Sequence, residues 1–279
     1  MTETKSKKRA PLTAAVIQLN TQDDVAKNLT RAGELVHEAV RHGAQVCVLP
    51  ENFAFMGEEE DKRSIAESLE GQGPIVKFLR ALGKEVGVHI VAGGMPEASG
   101  DPDRPFNTSV LVDPSGTIAA RYRKVHLFDV DIGQSYCESR STLASPTPDD
   151  VRVLDVRGAK LGMTVCYDVR FPELYRRLAE RGAEIVTVPA AFTLMTGKDH
   201  WHVLLRARAV ENQAFILAAG QWGKHPRGRQ TYGHSLIVNP WGTVLAECGD
   251  GEGFATARLD FAYQDEIRSS LPALKHRRL

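Results

Sequence analysis

The chain has 279 residues, 42% of them hydrophobic and 25% charged, and its 35 basic and 35 acidic side chains give a formal net charge of zero. That balance offers no support for a nucleic-acid or membrane-surface role, and there is no run of about 18 apolar residues that would span a bilayer. Cys47, Cys137, Cys166 and Cys248 are far apart and fit neither a disulfide framework nor a zinc spacing, which points to free thiols in a reducing, cytoplasmic compartment.

Residues 1–10 are polar and basic, lack the apolar stretch of a signal peptide, and read as a disordered tail before one domain over 11–279. Residues 12–19 read as a strand. Asp23 or Asp24 can cap a helix that runs to Arg41, with Val25, Leu29, Ala32, Val36 and Ala39 at helical spacing. Gly43 suits its C-terminal end. Residues 46–49 form a short buried strand that stops at Pro50. A helix over 74–86 has Pro at an early position, and strands near 90–93, 109–112 and 118–122 follow. The second half repeats the plan. Strands at 151–156 and 161–165 lead to a helix from Pro172 to Arg181 that ends at Gly182. A strand at 185–188 ends at Pro189. A long helix over 199–212 precedes strands near 215–219, 235–238, 243–246 and 254–259.

Two pairs of segments resemble each other. Residues 43–53 and 182–192 both read helix cap, buried strand, Pro, two residues, Phe. Residues 112–117 and 238–243 both read as hairpins with Pro and Gly at turn positions. The order is the same in both halves, so we infer an internal duplication: an α/β fold of two βα layers packed sheet against sheet, helices outside. The repeat exposes an asymmetry, because the position of Glu51 is Ala190 in the second half. Ligands of α/β sheets bind beyond the carboxyl ends of strands, so a carboxylate there in one half only hints at chemistry.

Cys166 ends an apolar strand and precedes a sharp turn into a helix near Pro172. Such a turn presents a nucleophile and aims backbone N–H groups at a developing oxyanion. Taken alone, it also fits a buried structural cysteine. Lys124 and Glu51 likewise fit a solvated strand end and a surface acid. What raises all three is shared placement just past a central strand. A free thiol is mostly protonated at neutral pH; a carboxylate can take its proton, and an ammonium can hold the charge that builds on an attacked amide.

Leu49-Pro50-Glu51-Asn52-Phe53, Lys124-Val125-His126-Leu127-Phe128 and Val165-Cys166-Tyr167-Asp168-Val169-Arg170-Phe171-Pro172-Glu173 resemble, in order, the three signature blocks of the nitrilase, or carbon–nitrogen hydrolase, superfamily. The likeness covers nearly the whole chain and is nearest to the Nit branch, which holds amidases for deaminated glutathione and for ω-amides. It implies a four-layer α-β-β-α sandwich with pseudo-twofold duplication, and a homodimer or larger homo-oligomer with Trp201 as an aromatic anchor. It implies catalysis by Glu51, Lys124 and Cys166, with Glu138 as a second acid and the Tyr167 backbone N–H as oxyanion donor. It also implies a thioester intermediate, no metal or organic cofactor, and a small-molecule amide substrate. Arg170, Phe192 and Thr196 are implied substrate contacts. The basic loop 224–230 and Arg170 suit a substrate bearing carboxylates, although the loop equally fits a surface turn and Arg170 a pair with Glu173 or Asp168. The rival arrangement pairs Cys166 with His126 or His234. His200 and His202, two apart on a helix, point to different faces and read as surface or interface residues rather than metal ligands.

Overall fold

Alternating β-branched runs and amphipathic helices fold, in chain order, into β1 (Leu12–Gln18), α1 (Val25–Arg41), β2 (Val46–Leu49), α2 (Pro74–Val86), β3 (His89–Glu97), β4 (Phe106–Val112), β5 (Ile118–Arg123), β6 (Asp129–Asp131), β7 (Ser135–Cys137), β8 (Val153–Val156), β9 (Ala159–Met163), α3 (Pro172–Glu180), β10 (Ile185–Thr187), α4 (Leu194–Asn212), β11 (Phe215–Ala218), β12 (Trp222–Lys224), β13 (Gln230–Tyr232), β14 (Leu236–Val238), β15 (Val244–Glu247), β16 (Gly253–Leu259) and α5 (Phe261–Ser270). This computed structural model describes residues 10–132, 135–147 and 151–278. Residues 1–9 of the expected tail lie outside the described residues.

Two six-stranded sheets carry the fold, ordered β16-β1-β2-β3-β4-β5 and β8-β9-β10-β11-β14-β15. In each, three parallel strands are flanked by one antiparallel strand on one side and two on the other. Both sheets therefore follow one plan. The turn chemistry repeats with it. Asp113 Oδ1 accepts from the N–H groups of Ser115 and Thr117 at 2.8 and 3.0 Å; Asn239 Oδ1 accepts from those of Trp241 and Thr243 at 3.0 and 2.9 Å. Gly116 and Gly242 follow with φ of 82° and 85°, where a side chain would be strained.

Alternation along the strands builds the layers. Ala14, Val16, Val48, Val91 and Leu111 of the first sheet join Leu161, Met163, Ile185 and Leu217 of the second in one apolar core. The intervening Ala15, Ile17, Cys47, Leu49 and Ile90 face Leu35, Val36, Val76 and Leu79 of α1 and α2. Leu174, Tyr175, Leu178, Leu205 and Ala209 bring α3 and α4 onto the other sheet. The result is the α-β-β-α sandwich.

Helix ends follow local chemistry. Asp24 is extended and its side chain accepts from the Lys27 N–H, which starts α1. Differences from expectation have packing causes. α4 starts at Leu194, five residues early, because Gly197 lets its first turn lie on Tyr232; a Cβ there would come within 2.2 Å of the Tyr232 Cβ. Trp201 is no surface anchor: it is fully buried, its ring packs on Phe192, and its Nε1 donates to the His234 carbonyl at 2.9 Å. Met195, Val203, Val210 and Trp241 are the exposed apolar groups nearby. Among the described residues no helix is long and apolar enough to cross a membrane.

Candidate active site

β2 stops where Pro50 cannot donate to the ladder. Asn52 then takes a left-handed φ of 60° and donates its N–H to the Gly94 carbonyl at 2.9 Å. The pairing of β3 and β4 is irregular between Ala92 and Met95, where two glycines sit. A Cβ on Gly93 would lie 1.9 Å from the Pro189 Cβ, and one on Gly94 2.6 Å from the Glu51 Cγ. The glycines thus let β3 press against both sheets' loops and hold Glu51 between them.

Glu51 is buried. Its Oε1 accepts from Lys124 Nζ and Asn107 Nδ2, each at 2.9 Å, and its Oε2 from the Ala191 N–H at 2.9 Å. Lys124 directly follows β5 and extends its pairing, donating its N–H to the Asn107 carbonyl at 2.8 Å. Its ammonium also reaches Glu138 Oε2 at 2.8 Å and Oε1 at 3.1 Å. Glu138 accepts further from the Phe128 N–H at 2.7 Å and from Asn107 Nδ2 at 3.1 Å. One ammonium and one amide therefore tie two carboxylates together.

Cys166 opens a 3₁₀ turn after β9 with a left-handed φ of 48°. For a side chain other than glycine this conformation costs about 1–3 kcal/mol, so surrounding bonds must hold it. They do. The Cys166 N–H donates to the Pro189 carbonyl at 2.8 Å. The buried Asp168 carboxylate accepts from the Val165 N–H at 2.9 Å and the Tyr122 hydroxyl at 2.7 Å, and lies 2.7 Å from His126 Nδ1. The thiol shares its pocket with Glu51 and Lys124.

Burial pushes the Cys166 thiol well above its ordinary pKa, and the Glu51 charge pushes it further. Burial, the largest single influence, would raise Glu51, but the Lys124 charge, its hydrogen bond and smaller contributions from Cys166 and Lys62 together outweigh it and lower the carboxyl to about 2. Burial would lower Lys124; Glu138 and Glu51 more than offset this and hold it well above the usual range. The resting site is a neutral thiol beside a carboxylate and an ammonium.

These groups open into a pocket of about 140 Å³, lined also by Tyr136, Tyr167, Phe192, Thr193 and Thr196. Lys62, Glu59 and Arg229 line it as well. Lys62 is buried and donates to Glu59 Oε2 at 2.6 Å, while Arg229 Nη1 donates to Glu59 Oε1 at 2.9 Å. Burial opposes ionisation of Glu59, yet the two cations lower its pKa to about 2.

The structure brings Glu51, Lys124, Glu138 and Cys166 together, with Phe192, Thr196 and the Tyr167 ring in the same pocket. Arg170 does not line it: the guanidinium lies 5.2 Å from the Phe192 ring centre and 5.9 Å from that of Tyr167, and donates to His200 at 3.2 Å. Its expected pairing with Glu173 or Asp168 gives way to these contacts. Neither proposed histidine reaches the thiol. His126 is stacked on Phe171 beside Asp168, and His234 pairs with Glu247. The loop 224–230 joins β12 to β13, and its Arg229 turns inward. Sequence reading missed Asn107, Glu59 and Lys62. Asn107 carried one signal, as a polar residue in an otherwise strand-forming run. The charge run around Lys62 has the composition of a solvated surface and carries no signal of its own.

Residues 13–269 match the carbon–nitrogen hydrolase family, and the chain belongs to it. It is 43% identical to a deaminated glutathione amidase of Synechocystis, over 96% of this chain and 98% of that one. It also resembles the crystal structure of the Caenorhabditis elegans NitFhit protein, with a TM-score of 0.90 and 35% identity, covering 97% of this chain and 66% of that one. A glutamate-to-glutamine mutant of an amidase from Nesterenkonia sp. AN1, which shows the result of Michael addition of acrylamide at the active-site cysteine, has a TM-score of 0.78 and 29% identity, over 94% of this chain and 98% of that one.

Proposed function

We propose that the chain is an amidase that cleaves deaminated glutathione, with residues 11–279 acting as one hydrolase domain. The observation that carries the chemistry is the Cys166 thiol in one pocket with Glu51 and with the Lys124 ammonium that donates to it. As sulfur bonds the amide carbon, the thiol proton passes to Glu51. Because the carboxyl is held low and the thiol high, this transfer is uphill until the sulfur–carbon bond forms. An idle thiolate is thereby avoided. The carbonyl oxygen becomes an oxyanion, taken up by Lys124 and the Tyr167 backbone N–H; the Cys166 N–H is already committed to Pro189. One such donor is typically worth about 3 kcal/mol of barrier. Glu138 holds the ammonium from behind. Glu51 then returns the proton to the leaving amine as the C–N bond breaks, leaving a thioester. Water gives a proton to Glu51 and attacks the thioester, the C–S bond breaks, and the thiol regains its proton. The products are an amine and a carboxylate. The route calls for no metal or organic cofactor.

The substrate reading rests on the named relatives and on charge. Lys62 and Arg229 share one carboxylate, Glu59, so this part of the pocket wall keeps one positive charge. That suits the carboxylate of a 2-oxo acid whose γ-amide lies at Cys166, with the peptide amine leaving. Phe192 and Thr196 serve as further contacts, and Arg170 braces Phe192 from outside. The exposed apolar side chains of α4 with Trp241 support a homodimer, and free thiols support a cytoplasmic setting. Turnover of deaminated glutathione, 2-oxoglutaramate and an N-carbamoyl amino acid, side by side with a Cys166→Ala control, tests the reading. Deaminated glutathione should be preferred and the control inactive. Equal, negligible rates on all three reject it, and preference for the N-carbamoyl compound moves the activity to another branch.

A further inference from the structure

Away from the pocket, three side chains from separate elements meet at one oxygen. His202 Nε2 lies 2.9 Å and His234 Nδ1 2.7 Å from the same Glu247 Oε1, and the three donor atoms are all within 4.8 Å of one another. His202 stands on α4, His234 just before β14, and Glu247 ends β15. The side chains are partly sheltered, at 33%, 27% and 32% exposure. His234 is held in place. Its φ is a left-handed 53°, its carbonyl accepts from Trp201, and its ring stacks on Tyr232 with centres 4.3 Å apart. The matching register of the other sheet holds Thr108 and Arg121. The second half therefore carries two metal-ligating residues where the first carries none.

We propose that His202, His234 and Glu247 bind a divalent transition-metal ion, with Zn²⁺ the best fit. Two imidazole nitrogens and one carboxylate oxygen suit Zn²⁺ rather than Mg²⁺ or Ca²⁺, which seek oxygen. Tetrahedral zinc with bonds of about 2.0–2.1 Å sets its donors about 3.3 Å apart, a spacing these side chains reach by small rotations. The fourth position faces solvent and takes water. Cys248, next to Glu247, is buried on the opposite face of the strand. The ion would clamp α4 to β14 and β15, and the first turn of α4 carries Thr196 of the pocket.

The test uses the full chain carrying Cys137→Ser and Cys166→Ala, which removes the exposed thiol and the pocket thiol. Zn²⁺ is titrated by calorimetry and Co²⁺ by visible absorption. One ion per chain should bind, with tetrahedral Co²⁺ bands and no thiolate charge-transfer band. His202→Gln and Glu247→Gln, both on the outside of the fold, should each weaken binding at least tenfold and abolish the zinc-induced rise in thermal midpoint. No binding at millimolar Zn²⁺, a thiolate band, or affinity unchanged in both variants would overturn the proposal.

Discussion

Lys124→Met removes the ammonium while keeping most of the side chain's volume. Oε1 of Glu51 and Oε1 of Glu138 lie 2.9 and 3.1 Å from the same Nζ, and so at most about 6 Å apart. At an effective dielectric near 20, two like charges at about 6 Å repel by about 3 kcal/mol, or about 2 pKa units. In the parent protein Glu51 is deprotonated down to about pH 2, so it sets no acid limb near neutrality. In the variant, burial and the Glu138 charge both act upward and the lowering partner is gone. The carboxylate pair then keeps one proton to about pH 6 or above, and the base is lost as pH falls through that range. The oxyanion also loses a donor, about 3 kcal/mol or 10²–10³-fold in kcat. The pH profile of kcat/KM between pH 5 and 9 reads the first effect, since it reports groups of the free enzyme; kcat on the alkaline plateau reads the second. Lys124→Met with Glu138→Gln should return the acid limb by about 2 units without restoring kcat. A single variant whose acid limb stays below pH 5, or whose kcat exceeds one tenth of the parent's, refutes the assigned roles.

Three further outcomes are expected. In a Cys137→Ser background, which removes the exposed thiol, iodoacetamide labelling of Cys166 should have its pH midpoint above the ordinary value of about 8.5. Glu51→Gln should move that midpoint down, because the Glu51 charge raises the thiol; peptide mapping across pH 6–10 reads both, and a parent midpoint below 8 contradicts the burial argument. Gly93→Ala forces a Cβ into Pro189 and the Leu49 carbonyl, and overpacking of this kind should cost about 1–3 kcal/mol, read as a lowered thermal midpoint. Lys62→Met should raise KM for a carboxylate-bearing amide about 10–100-fold, the worth of a charged hydrogen bond, with kcat within about threefold; steady-state kinetics decide.

The strand ends were readable because each rests on local chemistry. Pro50, Pro189 and the apolar runs before them marked β2 and β10, and Glu51, Lys124 and Cys166 were found as residues just past such runs. The repeat could be read because matching turns need matching residues, as Asp113 and Asn239 show. What stayed hidden depends on contacts between distant segments. Lys62 is buried beside Glu59, which also binds Arg229 from 170 residues further along the chain. Gly93 and Gly94 are required by Pro189 and Glu51 on neighbouring loops, a closeness that strand propensity does not encode. Trp201 has the sequence of a surface anchor and turns inward to reach the His234 carbonyl.

The duplication explains why the site is composite. Matching the sheets by register sets Leu19 opposite Cys166 and Ala190 opposite Glu51. Counted from the matching turns, Lys124 falls opposite Asp250, and Cys248 opposite Tyr122. A twofold arrangement of two such halves creates two equivalent pockets. One receives Glu51 and Lys124 from the first half and Cys166 from the second. Its mate receives Ala190 and Asp250 from the second and Leu19 from the first, and so has no ammonium or nucleophile in these places and no acid opposite Glu51. The apolar half still contributes through backbone: Ala191 donates to Glu51 Oε2, and Pro189 accepts from Cys166. Because main-chain groups persist whatever side chain replaces them, one pocket can keep its reactive groups while the other supplies the frame that holds them.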